Sequence, residues 1–287
     1  MKATVTTPGP FATACPSNAN ISIPVRVRIV GSGMAARLKG GLRVHVAPVG
    51  YYLDRVWEVP LKNKADRLWL IVDEEGTKSN EAPYRDEIKR HIGKRIDVRE
   101  EPAKLWDLKD LLRAFVEVVR EELAENNEVW LNISTGSKLQ GVAGALTAMS
   151  HGTHAYYVVA EDFEKPPKRP GVRGPVPLAS GVKEVVPLPA YRLDRPPPEE
   201  VEVLRALQAM GGKTVKKKEL VKKLLAEGWE REVESKRRDK SQAALMRLNR
   251  LLEGLERAPE KVEQIGNTRR RRISLTEEGA LLLTLLG

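Results

Sequence analysis

A chain of 287 residues, 41% hydrophobic and 31% charged, has room for about two domains with separate cores and is too apolar to be disordered throughout. Its 49 Lys and Arg against 39 Asp and Glu leave a formal charge of +10, and the pI of about 9.6 favours a polyanionic partner such as nucleic acid. One cysteine, Cys15, excludes an internal disulfide and, with four scattered His, a zinc site; no apolar run reaches the roughly 18–20 residues of a membrane span and no basic-then-apolar signal opens the chain, so a reducing cytoplasm is expected.

Residues 1–40 are rich in Thr, Pro and Asn without periodicity and read as disordered or as a start-site error, with Met34 the natural start; ISIPVRVRIV (21–30) reads as an extra edge strand. From Leu42 strands and helices alternate. LRVHVAP (42–48), RLWLIVD (67–73), RIDVRE (95–100), EVWLNI (128–133) and THAYYVVA (153–160) are apolar or alternating runs of strand length. Between them LDRVWEVPLKN (53–63), APYRDEIKRHIG (82–93), LWDLKDLLRAFVEVVREELAEN (105–126) and KLQGVAGALTAMSHG (138–152) read as helices. This alternation predicts a parallel sheet with right-handed crossovers, a Rossmann-like α/β domain over 42–192, with KEVVPLPAYR (183–192) as a last strand. FEKPPKRPGVRGPVP (163–177) is a Pro/Gly-rich surface loop, and 193–198, with RPPP, is a stiff connector.

The character changes over 199–287, which holds 20 Lys and Arg against 15 Asp and Glu, a net of +5. PEEVEVLRALQAMGG (198–212), KKKELVKKLLAEGW (216–229) and DKSQAALMRLNRLLEGLER (239–257) are three helices, the third with Leu245, Leu248, Leu251, Leu252 and Leu255 as its apolar stripe. KVEQIGNTRRRRISL (261–275) is a hairpin and TEEGALLLTLL (276–286) a closing helix behind a Thr cap. Three helices, a hairpin and a final helix are the order of a winged helix-turn-helix. In that fold the third helix enters the major groove, which places Lys240, Ser241 and Gln242 at base edges and Arg247 and Arg250 nearer the backbone. Gln reads adenine and Arg reads guanine by paired hydrogen bonds. The hairpin would lay its arginines on phosphates or a narrow minor groove; alternation puts Arg269 and Arg271 on one face, Arg270 and Arg272 on the other. A winged helix used only for protein contact is the competing reading.

Two loops at strand ends stand out, where open α/β sheets bind ligands. APVGYYLDRV (47–56) carries Gly50, which lets a ligand approach the backbone, and the stacking surfaces of Tyr51 and Tyr52. LNISTGSKLQG (131–141) brings Thr135, Gly136, Ser137 and Lys138 to a helix N-terminus, a combination suited to a phosphate or ribose. Neither the P-loop spacing nor the dinucleotide fingerprint is present. A plain helix-capping turn, and packing of the two tyrosines, are the structural alternatives.

These residues carry a resemblance. HVAPVGYYLDRV, the WDLKDLL helix start and LNISTGSK before a small-residue helix resemble the CRISPR-associated Rossmann-fold (CARF) domain, and with the winged helix the chain over 42–287 resembles the archaeal CARF–winged-helix transcriptional regulators. The resemblance implies a six-stranded Rossmann-like domain, a homodimer, and a cyclic oligoadenylate, first of all cyclic tetra-adenylate, across the two-fold axis. It assigns the ligand to Asn132, Ser134, Thr135, Gly136, Ser137 and Lys138 and to Gly50, Tyr51 and Tyr52. Many members of the family carry two Gly in this turn, where this chain has Gly136 then Ser137. The expected role is therefore a DNA-binding regulator that senses a nucleotide second messenger and carries no resident cofactor, metal or catalytic centre; regulation outside CRISPR loci is an alternative.

Two enzyme readings compete with it. Lys138, Ser137 and Thr135 would position a 2′-hydroxyl for cleavage of a bound ring, though His151 and His154 lie past the helix and no general base is evident. Arg85 and His91 fit the spacing of a ribonuclease effector but read as a solvated helix face, and Asp73, Glu74 and Glu75 read as an acidic strand-end loop.

Overall fold

The computed structural model describes residues 41–163, 178–193, 195–212, 214–229, 240–256, 261–265 and 272–287. The chain divides into the units 1–39 and 40–287, and only the second falls within the described residues. The expected edge strand at 21–30, the start at Met34, the loop after Phe163 and the wing arginines Arg269, Arg270 and Arg271 lie outside them.

Five strands appear in the sequence order expected: β1 (Arg43–Pro48), β2 (Arg67–Asp73), β3 (Asp97–Ala103), β4 (Glu128–Asn132) and β5 (His154–Val159); β3, DVREEPA, is a charged edge strand that runs past the expected 95–100 because it pairs with the whole of β2. They form a parallel sheet, which β6 (Glu184–Pro187) completes at the edge in the order β3-β2-β1-β4-β5-β6. The last strand runs antiparallel to β5, so the sheet is mixed rather than wholly parallel. The helices are α1 (Leu53–Lys62), α2 (Ala82–Ile92), α3 (Leu108–Ala124) and α4 (Lys138–His151).

Alternation along β2 shows how both faces fill. Leu68, Leu70 and Val72 pack with Val56 of α1 and Ile88 of α2, while Trp69 and Ile71 pack with Phe115 of α3 and Ala143 of α4. Burying such a side chain contributes about 1.5–3 kcal/mol, so these two layers supply most of the drive to fold. A buried ion pair pins sheet to helix: Arg67 donates to Glu122 at 2.7 and 2.9 Å, and Trp69 and Asn127 donate to the same carboxylate. The helix that the sequence places over 105–126 begins at Leu108 because Asp107 caps it, accepting from the amides of Lys109 and Asp110.

The C-terminal part contains α5 (Pro198–Ala209), β7 (Val215–Lys216), α6 (Lys217–Ala226), α7 (Lys240–Leu255), β8 (Val262–Ile265), β9 (Arg272–Leu275) and α8 (Glu277–Leu286). The expected helices and hairpin strands are all there, and β7 adds a third strand in the order β7-β9-β8. Val203, Leu204, Leu220, Leu248, Leu252 and Ile273 form its core. The closing helix α8 belongs to two cores at once. Leu283 joins the winged core, whereas Leu285 lies in the cluster of Phe115 and Ala148, with Leu281 packed against it. The connector is also tied down: Leu193 and Arg195 donate to the carbonyls of Met149 and Ser150 at the end of α4.

Candidate functional site

Strand order reverses between β1 and β4, and the loops that leave these two strands meet above the reversal. The Thr135 hydroxyl donates to the Pro48 carbonyl at 2.9 Å. A Cβ on Gly50 would stand 2.8 Å from the Gly136 Cα and 2.9 Å from its nitrogen, so the two backbones touch only because residue 50 is glycine. Gly136 also sits at φ +71°, in the left-handed region. Asn132, fully buried, donates to the Arg55 carbonyl at 2.8 Å and accepts from the amide and hydroxyl of Ser134. Ser137 caps α4, accepting from the Gln140 amide, while the Gln140 side chain accepts from the Ser137 amide.

The geometry sorts the expected ligand residues by role. The side chains of Asn132, Ser134, Thr135 and Ser137 are engaged in holding the two loops, so they shape a cradle. What the cradle presents is the N-terminus of α4, whose first amides have no acceptor within the helix, and the exposed Lys138 at its first position. Tyr51 stands edge-on to Tyr84 at 4.9 Å and keeps 37% of its surface exposed. The face of Tyr52 is covered by the Arg55 guanidinium, 4.6 Å from the ring centre. This differs from the free stacking surface that the sequence leads one to expect.

Arg55 is the residue that sequence reasoning missed. It is 3% exposed, yet no carboxylate pairs with it among the described residues. Its Nη1 donates to the Ser134 carbonyl at 3.2 Å, Phe163 lies 5.4 Å away on a ring face, and Nε and Nη2 are buried without a partner. A buried cation with two donors unmet, beside a helix N-terminus, has hydrogen-bonding capacity that an anion would satisfy. The one local signal is its place three residues after Tyr52, one turn along α1. Beneath the cradle His45 is fully buried against the Tyr156 hydroxyl at 2.8 Å. Burial, and then the charge of Arg43, lower its pKa to about 4, so the imidazole is neutral.

In the winged part, Lys240 and Ser241 open α7, and Gln242 and Arg250 are exposed on it. Arg247 is half-buried on the same helix and turned towards α5. It pairs with Glu199 of α5 at 2.7 Å and stacks over Trp229 at 4.7 Å, because its position flanks the buried stripe of Ala244 and Leu248. On the wing, Arg272 is exposed on β9. Arg85 pairs with Glu100 at 3.5 Å and His91 stacks on Trp57 at 4.8 Å, so the two are held by separate partners on α2. Asp73 accepts from the Ser79 hydroxyl and the Glu75 amide, and no metal-ligating cluster occurs among the described residues. Nor, among them, is any helix long and apolar enough to cross a membrane.

Fold and site together define a class: a Rossmann-like domain whose β1 and β4 loops meet at the strand-order reversal, joined to a winged helix domain. Within it, residues 43–163 match the family model described as "HFX_2341_N:-like, N-terminal", and residues 199–287 match the DUF6293 C-terminal winged helix domain. A Methanocaldococcus jannaschii protein, uncharacterized protein MJ1513, is 32% identical over 117 residues, 39% of this chain and 34% of the relative, so the chain spans about a third of that protein's length. Similar solved structures include Can2 from Sulfobacillus thermosulfidooxidans in complex with cyclic tetra-adenylate, at 15% identity and TM-score 0.37, covering 84% of this chain and 61% of that one. Csm6 from Enterococcus italicus bound to cyclic hexa-2'-fluoro-hexa-dAMP follows at 15% and 0.33, with 42% and 33% covered. Protein VC1899 from Vibrio cholerae follows at 14% and 0.36, with 85% and 66% covered.

Proposed function

We propose that this chain is a cytoplasmic, homodimeric DNA-binding transcriptional regulator of the CARF–winged-helix kind, whose Rossmann-like domain senses a cyclic oligoadenylate, with cyclic tetra-adenylate the first ligand to test. The observation that carries the reading is the cradle itself: a helix N-terminus, an exposed Lys138 and the buried, unpaired Arg55 converge where β1 and β4 diverge. Such a site binds phosphates by charge and by backbone donors. Two copies related by a two-fold axis would bracket a symmetric ring. The C-terminal domain supplies the second half of the reading, with Gln242, Arg250 and Arg272 exposed on the helix and wing that face DNA in such folds.

The cradle favours sensing over catalysis. The hydroxyls of Ser134, Thr135 and Ser137 are committed to neighbouring groups, so they serve as a rigid frame and not as groups that activate a nucleophile. Cyclic tetra-adenylate at 100 times its Kd stabilises the protein by about 2.7 kcal/mol, a rise in Tm of roughly 5–10 °C. Lys138→Ala removes the rise, labelled ring is recovered intact, and gel shifts with native promoter DNA show binding that weakens steeply with salt. A melting curve that no oligoadenylate moves, together with no DNA binding at low salt, rejects the proposal.

A further inference from the structure

Among the described residues of the winged domain, two large apolar side chains stand exposed: Met246 at 60%, in the middle of α7, and Ile265 at 47%, at the end of β8. Single exposed hydrophobics are ordinary, but the fold gives this pair a place. On α7 the buried Ala244, Leu248 and Leu252 take one face. Gln242, Met246, Asn249 and Arg250 recur at helical spacing on the other, and all four are exposed. On the wing, Ile265 pairs with Arg272 across the hairpin, so the two share its outer face, away from the buried Val262 and Ile273. The surroundings are cationic. Lys216, Lys218 and Lys222 are exposed, and Lys217 donates to Asn249 at 2.8 Å, which brings the start of α6 to this side of α7.

We propose that Met246 is a base-reading residue whose side chain packs on the 5-methyl group of a thymine in the major groove. The inference rests on the DNA-binding reading and deepens it, because it names a base that the operator must contain. The thymine methyl is the apolar group that base pairs present in that groove, and an exposed apolar side chain set between an amide and a guanidinium matches it. Charge names the partner: 20 Lys and Arg against 15 Asp and Glu over 199–287 suit a polyanion, whereas a second copy would bring like charge to the same face. Asn249, the neighbouring amide, has its oxygen engaged by Lys217, which leaves Met246 as the middle contact between Gln242 and Arg250. Met has three rotatable bonds and a polarizable sulfur, so it follows the contour of a methyl group. Four residues advance about 6 Å along a helix and base pairs stack at about 3.4 Å, so the thymine stands roughly two base pairs from the base that Gln242 meets.

The full chain selects bound sequences from a pool of random DNA duplexes, and each thymine of the selected sequence is then replaced by deoxyuridine, which lacks only the 5-methyl group. Gel shifts compare the two DNAs with the wild type and with Met246→Ala. At one thymine the loss of the methyl weakens wild-type binding about 4-fold, and this effect is absent in Met246→Ala, while both proteins bind the deoxyuridine duplex within about 2-fold of each other. The side chain is exposed, so the variant keeps the melting temperature of the wild type. A wild type indifferent to deoxyuridine at every position, or a methyl effect that persists in Met246→Ala, overturns the assignment and leaves the DNA-binding reading standing. So does a Met246→Ala protein that dissociates in sedimentation, the mark of a face between two copies. A chain that binds no duplex at low salt overturns both.

Discussion

Replacing Arg55 by Met separates a ligand-binding cation from a structural one. The favourable terms that the guanidinium makes are one charge-assisted hydrogen bond to the Ser134 carbonyl, roughly 1.5–3 kcal/mol, and two ring contacts of roughly 0.5–2 kcal/mol each. Against them stand two buried donors with no acceptor, Nε and Nη2, each costing roughly 1–3 kcal/mol. At mid-range the two sides cancel to within about 2 kcal/mol, and Met keeps most of the packing against Tyr52 and Phe163. A buried Arg paired with a carboxylate would instead cost about 3–5 kcal/mol to remove. Arg55→Met therefore changes the Tm of the free protein by no more than about 5 °C in either direction, while affinity for the cyclic oligoadenylate falls roughly 30-fold or more. Differential scanning fluorimetry gives the first quantity and isothermal titration calorimetry the second. A fall in Tm above about 10 °C with unchanged affinity would show that Arg55 holds the fold and not the messenger, and the anion-cradle argument would fail with it.

Four further outcomes follow from the same geometry. Gly50→Ala places a Cβ against the Gly136 backbone, where no side chain can swing aside; stability drops by about 1–3 kcal/mol and ring affinity drops with it, both measurable by urea melts and calorimetry. His45 has a folded pKa of about 4 against 6.5 when unfolded, so its contribution is complete above pH 6.5 and is lost as pH falls towards 4, a total of about 3 kcal/mol. His45→Leu flattens the stability profile across that window, and an unflattened profile rejects the assignment. Leu285→Ala, at the junction of α8 with the first core, lowers stability by about 2–3 kcal/mol and weakens the effect of the ring on gel shifts more than it weakens DNA binding itself. Arg247→Ala leaves DNA affinity within about 2-fold because its guanidinium is held by Glu199, whereas Arg250→Ala reduces it several-fold; the reverse order would restore Arg247 to the interface.

Much of the fold was legible because its signals are periodic and local. The run RLWLIVD is buried on both faces and has the length of β2, and α4 begins at Lys138 as expected, whereas the cap at Asp107 starts α3 three residues later than the apolar pattern does. Other features depend on partners far along the chain. β7 has two residues, too few for any pattern, and exists because Val215 and Lys216 pair with Ile273 and Arg272. The antiparallel direction of β6 is decided by how the chain returns after β5, which composition does not encode. At the cradle, the loop sequence located the site, but an Arg in the first turn of an amphipathic helix reads as a solvated residue. Only the approach of Ser134, Tyr52 and Phe163 makes Arg55 a buried cation. Arg247 is the converse case: it lies at the margin of the apolar stripe, and α5 decides which side it joins.

ALLLTLL places leucines on more than one side of α8, and a helix of that kind is buried against more than one partner. Its two partners are the two domains. On one side Leu285 sits with Phe115 of α3 and Ala148 of α4; on the other Leu283 sits with the core that supports α7 and the wing. The connector residues Leu193 and Arg195 bond to the last turn of α4, whose first residue is Lys138. A single helix about 20 Å long thus reaches from the cradle to both attachments of the winged domain. Close-packed interfaces do not deform continuously, so a displacement of α4 at one end is passed to α8 and to the connector or is resisted by them. For the proposed regulator this fixes a thermodynamic condition. If occupancy of the cradle changes operator affinity by some factor through this path, operator DNA must change the affinity for the ring by the same factor, and α8 is where a single substitution can reduce both together.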